Sequence, residues 1–292
     1  MKMTVVVAVA AATVAAGQSS HLSGFLQLTH GGQNAEAYWS PDGKRLIFQT
    51  TRQPYECDQM FIMNADGTDQ HLVSTGKGRT TCGYFLADNK HIVYASTHLA
   101  GDACPTPPDR SKGYVWGVFA GYDIFEAINT GKILKRLTDT PGYDAEATIN
   151  WKTGTMVYTS LASGDLDLWT MKVDGSVSTQ ITRTVGYDGG AAFSRDGKQL
   201  VWRAGYPKDA AQLAKYRDLL AANVTAPMKM ELMLADANGS NARAITNFGC
   251  ASFAPTFTPT ARRFCSPPIS WSATAASSSC SRSTWMAAAW NR

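Results

Sequence analysis

The sequence lacks the short motifs that mark the common enzyme classes. It has no Gly-x-Ser-x-Gly nucleophile turn, no His-Glu-x-x-His zinc motif and no glycine-rich phosphate loop. Its five histidines are scattered, and only His98 falls in a long irregular stretch of the kind that carries active sites. We therefore expect no catalytic residue, no metal-binding motif and no cofactor. The alternative is a lyase-type or hydrolase-type active site that uses none of these motifs.

The chain also lacks an excess of charge outside its C-terminal end. The formal net charge is +4, and the four arginines of residues 260–292, a segment without any acid, account for it. A neutral body with a short basic tail is weak support for a polyanionic partner. We therefore expect no nucleic-acid partner.

A long apolar run is missing except at the N-terminus. Lys2 precedes an apolar stretch over residues 4–14, and the small residues 15–17 fit a cleavage site before Gln18. The run is too short to span a bilayer, and no cysteine follows the cleavage site to carry a lipid. We predict a signal peptide over residues 1–17, a periplasmic or secreted mature protein and no stable membrane anchor. The alternative is a buried N-terminal strand.

What the sequence does contain is a repeat. Short strand-like segments begin at Gln27, His71, Arg136, Gln180 and Ala244, with spacings of 44, 65, 44 and 64 residues. The turn glycines repeat in the same way, at Gly67, Gly131, Gly175 and Gly239. The unit is therefore about 44 residues long, and two units carry an insertion of about 20 residues.

Each unit reads as four short strands, which we call A to D. In the third unit they are residues 145–149, 155–160, 166–173 and 179–182. Four strands in about 44 residues are typical of a β-propeller blade. We predict an all-β, incomplete β-propeller with four full blades and the start of a fifth, over residues 18–259. Residues 27–29 are expected to act as an outer strand that closes the ring onto the last blade, and a β-sandwich is the alternative fold.

Three hairpins carry a resemblance to a known family. The phrases are WSPDGK at residues 39–44, FIMNADG at residues 61–67 and FSRDGK at residues 193–198. They resemble the PD40, or WD40-like, repeats of the TolB-like β-propellers, and the resemblance covers about residues 25–259. It implies a propeller fold and leaves function open, since such blades occur in binding proteins and in front of prolyl-oligopeptidase-like hydrolases.

The blade order divides the molecule into two faces. The A–B and C–D turns lie on one face and are short. The B–C and D–A connections lie on the other, which we call the loop-rich face, and both insertions (residues 97–121 and 204–229) are B–C connections. Apolar residues at helical spacing in residues 209–223 predict a short amphipathic helix, which either caps the propeller or binds a partner.

Acids and tyrosines in the D–A connections predict a binding site at the channel mouth. The candidates come from all four blades and are Glu36, Arg79, Tyr143, Asp144, Glu146, Tyr187 and Asp188. Converging carboxylates could hold a basic peptide end, a sugar or a Ca²⁺-like cation. The alternative is that these acids only cap backbone amides between blades.

Three cysteines belong to the same face: Cys57, Cys82 and Cys104. Three pairings are open. Cys57 with Cys104 is the preferred disulfide because it would join two adjacent loops.

Two functions fit this pattern. The first is an exported, non-catalytic scaffold that binds a periplasmic protein or peptide through the loop-rich face and the channel mouth. The alternative is the propeller part of an exported prolyl-oligopeptidase-like hydrolase whose catalytic domain is missing from this chain.

The repeat pattern stops after Pro259. Residues 260–292 turn to Ser, Ala, Arg and Trp, where a fifth blade would continue with Asp-Gly. Tryptophan and methionine have one codon each, so the nucleotide sequence at Trp285 and Met286 follows from the protein sequence. Read in the frame one nucleotide earlier, this stretch must encode Asp-Gly. We therefore predict that this segment is an off-frame, disordered tail of a truncated product. The alternative is a natural Ser/Ala-rich tail, and the nucleotide sequence across Pro259 decides between them.

Overall fold

The structure is a computed structural model that describes residues 26–111 and 113–257, together with the backbone of residues 263–266, 268–269 and 286–289. The predicted signal peptide and most of the predicted tail lie outside the described residues. Within the described part, no helix is long and apolar enough to cross a membrane.

Four antiparallel sheets of four strands each form the body. Blade one contains β1 (Gln33–Trp39), β2 (Arg45–Thr51), β3 (Gln59–Asn64) and β4 (His71–Leu72). Blade two contains β5 (Thr80–Phe85) and β6 (His91–Ser96) and, after an insertion with β7 (Trp116–Gly117), β8 (Asp123–Ile128) and β9 (Ile133–Arg136).

Blade three contains β10 (Asp144–Asn150), β11 (Thr155–Ser160), β12 (Asp167–Lys172) and β13 (Thr179–Gln180). Blade four contains β14 (Tyr187–Phe193) and β15 (Gln199–Gly205) and, after an insertion with α1 (Ala210–Ala221) and β16 (Val224–Thr225), β17 (Glu231–Asp236) and β18 (Arg243–Ala244).

A fifth blade begins with β19 (Ala251–Ser252) and β20 (Thr256–Phe257). In the region of the predicted tail the backbone forms β21 (Arg263–Ser266), β22 (Pro268–Ile269) and β23 (Met286–Ala289). β21 pairs with β20 and β23, and β22 pairs with β19. The predicted incomplete propeller, with four full blades and the start of a fifth, is thus confirmed.

The recurring hairpin owes its shape to a serine and an aspartate. Ser40 Oγ donates to Asp42 Oδ1 (2.6 Å) and accepts from the Arg45 N–H (3.0 Å). Ser194 repeats both bonds in blade four, with Asp196 and Gln199. These bonds satisfy the backbone of the turn, and for this reason the phrase returns in the sequence.

A hydroxyl at the end of strand D ties each blade to its own strand C. The hydroxyl oxygens of Ser74, Thr138, Thr182 and Thr246 each accept one strand-C backbone N–H, at 2.8–3.0 Å. The D strands are only two to four residues long. The added bond therefore helps to hold a strand that has few ladder bonds of its own.

Every innermost strand bends at the same place. The register of β1, β5, β10 and β14 shifts by a bulge, and a residue with positive φ lies within each shift. Those residues are Glu36 (φ 50), Cys82 (φ 51), Glu146 (φ 59) and Gly190 (φ 60). Bulges of this kind aim a side chain out of the regular ladder, and here the four bulges recur at equivalent positions of the four innermost strands.

Candidate functional site: the loop-rich face

The two insertions meet above the propeller. β7 of the first insertion pairs with β16 of the second, and the Val118 N–H donates to the Asn223 carbonyl (2.9 Å). We call the two insertions, residues 97–122 and 206–230, the cap. Because each half comes from a different blade, the cap links blades two and four.

Aromatic side chains of the cap pack on residues at the channel mouth. Trp116 packs edge-on against Tyr187 (ring centroids 5.7 Å apart) and Phe253 (6.1 Å). Tyr216 of α1 is fully buried, and its hydroxyl bonds the Gly186 carbonyl (2.8 Å) and Asp165 Oδ1 (2.5 Å). The predicted helix is present, and through Tyr216 it packs on the propeller as a lid.

The predicted channel-mouth residues of blades three and four lie beneath this cap. Tyr143, Asp144, Tyr187 and Asp188 are each at most 5% exposed. A partner at the protein surface cannot contact them while the cap stays in place.

Glu146 forms the centre of a buried polar cluster between blades three and four. Its carboxylate accepts from Arg203 (2.6 Å), Thr159 (2.8 Å) and the backbone N–H of Gly190 (2.9 Å). The Tyr187 hydroxyl also reaches it, at 3.0 Å. Every partner belongs to the protein itself, so this cluster joins blades and leaves no carboxylate oxygen free for a ligand.

Arg203 is a central residue that the sequence analysis missed. Its guanidinium lies 5.3 Å from the ring centres of both Tyr187 and Phe253 and forms the ion pair with Glu146. The signal was present, because a charged residue interrupts the apolar strand LVWRAG of β15. A buried arginine of this kind needs a carboxylate partner.

The two glycines after Asp188 make room for this cluster. A Cβ on Gly189 would lie 2.5 Å from Glu146 Oε2, and one on Gly190 would lie 2.6 Å from an Arg203 nitrogen. Gly190 also has a positive φ of 60°. The Tyr-Asp-Gly-Gly phrase is therefore explained by packing.

Asp144 and Asp188 are buried acids, each with one bonded carboxylate oxygen and one, Asp144 Oδ1 and Asp188 Oδ2, without a hydrogen-bond partner. Asp144 accepts from the Thr140 hydroxyl (2.6 Å), and burial raises its pKa. Asp188 Oδ1 accepts from Trp202 Nε1 (2.6 Å) and the Tyr206 hydroxyl (2.8 Å). Burial raises the pKa of Asp188 to about 7.

Glu36 lies near the Glu146 cluster, because burial and then the carboxylates of both residues raise the pKa of the Cys82 thiol between them. Glu36 is half-buried on β1 and accepts from the Tyr38 hydroxyl (2.5 Å). Arg79 pairs with Asp58 at 3.1 Å. The predicted residues thus lie around the channel, each held by partners within the protein. No group of three acid, histidine or cysteine side chains among the described residues is arranged to hold a metal ion.

The open part of the loop-rich face lies over blade one. A hollow of about 410 Å³ is lined by residues 30–32, 51–53 and 55. A second hollow of about 230 Å³ is lined by residues 54–56, 59, 76, 78 and 102–104. Tyr55 lines both, so we treat them as one feature and call it the blade-one groove.

The walls of this groove are held by specific contacts. Cys57 and Cys104, the pair preferred from the sequence, form a disulfide with Cα atoms 6.0 Å apart. Gly76 approaches Tyr55 so closely that a Cβ there would lie 3.2 Å from the ring.

The third cysteine of this face, Cys82, is a buried thiol whose pKa is raised by burial and by the nearby Glu36 and Glu146 carboxylates. It therefore stays protonated and is a poor nucleophile.

The fold has clear relatives among solved structures. A protein of Agrobacterium tumefaciens assigned to TolB matches with 16% identity and a TM-score of 0.53, covering 72% of this chain and 64% of its own. TolB from Acinetobacter baumannii matches with 14% identity and a TM-score of 0.58, covering 82% and 49%. A propeller in a nidogen/laminin complex matches with 10% identity and a TM-score of 0.55, covering 80% and 70%.

These likenesses show that the fold is a TolB-like β-propeller. The chain spans 64% and 49% of the lengths of the two TolB structures. No protein-family profile and no curated protein matches the sequence.

Proposed function

We propose that this chain is a non-catalytic scaffold that binds an extended segment of a protein or peptide on its loop-rich face. The observation that carries the proposal is the blade-one groove, whose two neighbouring hollows both have Tyr55 in their walls. Grooves with aromatic walls and accessible backbone suit extended peptides, which bring their own backbone bonds and side-chain anchors.

The contrast with the channel favours the groove as the place of binding. The channel acids Glu146 and Asp188 are bonded to side chains of the protein and covered by the cap. The groove residues Gln53, Pro54 and Glu56 are exposed. Function on loops over a rigid scaffold is the usual arrangement, and the disulfide beside the groove supplies rigidity.

The neighbours support the same class of function. One similar structure is a complex of nidogen with laminin, so that neighbour is found with a protein partner. Propellers commonly present their loops to other proteins, and the proposal extends this use to the present chain.

A peptide selection tests the proposal. The full chain would be immobilised and used to select from a random peptide library displayed on phage, and the selected peptides would be measured by calorimetry. Tyr55→Ala is expected to weaken binding at least about tenfold, which corresponds to about 1.4 kcal/mol. Phe248→Ala, at an aromatic residue 41% exposed on the same face and outside the groove, serves as the matched control. Equal loss in both variants, or no selected peptide, would count against the groove.

We also propose that the protein acts outside the cytoplasm. The motivation is the signal-peptide pattern over residues 1–17 together with the Cys57–Cys104 disulfide, which forms in oxidising compartments. The mass of the protein from the periplasmic fraction of a Gram-negative host is expected to correspond to a chain that begins at Gln18. A full-length mass in the cytoplasmic fraction would contradict export.

A further inference from the structure

The two hollows of the blade-one groove carry opposite charges. The hollow lined by residues 30–32, 51–53 and 55 contains the basic residues His30 and Arg52 and no acid, and we call it the basic hollow. The other hollow contains the acids Glu56 and Asp102 and no basic residue, and we call it the acidic hollow. The charges of the groove are therefore sorted along its length.

Arg52 is held in a fixed position in the basic hollow. Its guanidinium lies 4.9 Å from the ring centre of Phe61. It donates to three neutral side-chain oxygens, those of Thr50 (3.2 Å), Gln70 (2.9 Å) and Asn34 (3.3 Å). No carboxylate of the described residues forms an ion pair with it. Because a guanidinium has five N–H groups, an oriented and unbalanced positive charge with further donors is left for a ligand.

Glu56 is the free charge of the acidic hollow. Asp102 pairs with Lys77 at 2.7 Å, so its charge is already balanced within the chain. Glu56 is exposed, and its carboxylate forms no hydrogen bond or ion pair with any described residue. Since no side chain of the protein competes for it, this carboxylate can accept a basic group of a ligand.

Tyr55 belongs to the walls of both hollows. Its ring packs edge-on against Phe61, with ring centroids 6.1 Å apart, and Gly76 lies close to its other side. These contacts fix the ring and leave it as an apolar surface shared by the two hollows. A peptide that contacts Tyr55 and extends into both hollows therefore meets Arg52 in one direction and Glu56 in the other.

We propose that the groove selects its peptide by the order of charges. An apolar residue contacts Tyr55, an acidic side chain on one side of it binds Arg52, and a basic side chain on the other side binds Glu56. This inference rests on the proposed function and names the chemistry of the bound segment. The planar guanidinium favours a carboxylate, which can accept two N–H groups at once. A segment with its charges exchanged is repelled at both ends of the groove.

The sequences of selected peptides give the first test. Peptides that bind the full chain and lose affinity for Tyr55→Ala are expected to carry an acid and a base on opposite sides of an apolar residue. Replacing the acid of such a peptide by its amide, or the base by glutamine, is expected to weaken binding about threefold, within the range for exposed ion pairs. Calorimetry measures both changes.

Charge reversal at Glu56 tests the pairing directly. Glu56→Lys is expected to weaken binding of the selected peptide about tenfold, since an attraction becomes a repulsion. Binding should return when the basic residue of the peptide is replaced by glutamate. Asp218→Lys is the matched control, because Asp218 is an exposed acid on α1 outside the groove. It is expected to change the affinity for neither peptide.

The role of Arg52 is tested through its coupling to the acid of the peptide. Arg52→Gln is expected to bind the acid peptide and its amide equally, whereas Arg52→Lys, which keeps the charge, should still prefer the acid. A residue that only supported the wall of the groove would weaken both peptides alike in both variants. Circular dichroism checks that each variant is folded.

The outcomes separate this inference from the proposed function. Peptides that need Tyr55 and show no charge order would overturn the inference alone, as would equal losses with Glu56→Lys and Asp218→Lys. A selection that yields no peptide, or only peptides unaffected by Tyr55→Ala, would overturn both.

Discussion

Two regions of the loop-rich face contrast sharply, although both were built from the same repeat. Around the channel, Glu146, Arg203 and Asp188 are covered and bonded to other side chains. Over blade one, the groove beside Tyr55 is open, and its charged wall residues Glu56 and Asp102 are exposed. The difference teaches that a cluster of acids and tyrosines in a propeller can serve to hold the blades together. Binding is then left to the loops.

The strongest test of this comparison removes the charge at the centre of the channel. Glu146→Ala would leave Arg203 buried without its carboxylate, and the expected loss of unfolding free energy is about 3–5 kcal/mol. Urea denaturation measures it. Glu36→Ala is the matched control, since Glu36 occupies the same bulge position in blade one and is half-buried. If both variants lost the same small amount of unfolding free energy, the Glu146–Arg203 ion pair would not be what holds blades three and four together.

The second test concerns the groove. Cys57→Ser with Cys104→Ser opens a covalent loop of sequence separation 47, and we expect a loss of about 2–4 kcal/mol. The same double variant should weaken peptide binding, because the walls of the groove lose their link. Stability that falls while peptide affinity stays unchanged would separate the disulfide from the proposed site.

The third test is the pH dependence that Asp188 imparts. Its pKa is raised to about 7 in the folded protein, so the folded state holds a proton that the unfolded chain releases near pH 4. The stability from this group is therefore fully present below about pH 4 and is lost as pH rises through 7, and about 3 kcal/mol of that loss falls between pH 5 and pH 8.

Asp188→Asn isolates that contribution. The amide oxygen can still accept from Trp202, and the variant cannot ionise, so its melting temperature should fall less between pH 5 and pH 8 than that of the unmodified chain. Asp196→Asn, at an exposed turn aspartate whose pKa is lowered mainly by the Ser194 hydroxyl, is the comparison variant. Parallel pH curves for the unmodified chain and Asp188→Asn would contradict a buried, protonated Asp188.

The smallest effect is expected in the cap. Asp209 accepts from the Gln212 N–H (2.8 Å) at the start of α1, and Asp209→Ala should cost the helix about 1 kcal/mol. Hydrogen exchange of the α1 amides is expected to quicken while the blades stay protected. Lys208→Ala, one residue earlier and also exposed, should leave exchange unchanged.

The fold could be predicted because the turn residues of each blade recur at a regular spacing in the sequence. Gly43 and Gly197 occupy the same place in their hairpins, and the predicted strand over residues 155–160 matches β11 at both ends. The spacing of the repeat and the residue types that form turns depend only on residues close in sequence, so they can be recognised without a structure.

The site could be predicted only in part, because burial depends on which insertions meet. The sequence places Tyr187 and Asp188 at the channel mouth, and nothing local says that Trp116, 71 residues before Tyr187, would cover them. The Cys57–Cys104 disulfide could be predicted because both residues fall on adjacent loops of one face. The predictions that residues 1–17 are a signal peptide and that residues 260–292 are off-frame stay predictions.

The measurement that most directly tests the central claim is hydrogen exchange with and without a selected peptide. Our account predicts slower exchange in fragments that cover residues 30–34 and 51–56, which line the blade-one groove, and no change in residues 143–146 and 187–190. Protection of the channel segments, with the groove unchanged, would contradict it and would place binding beneath the cap.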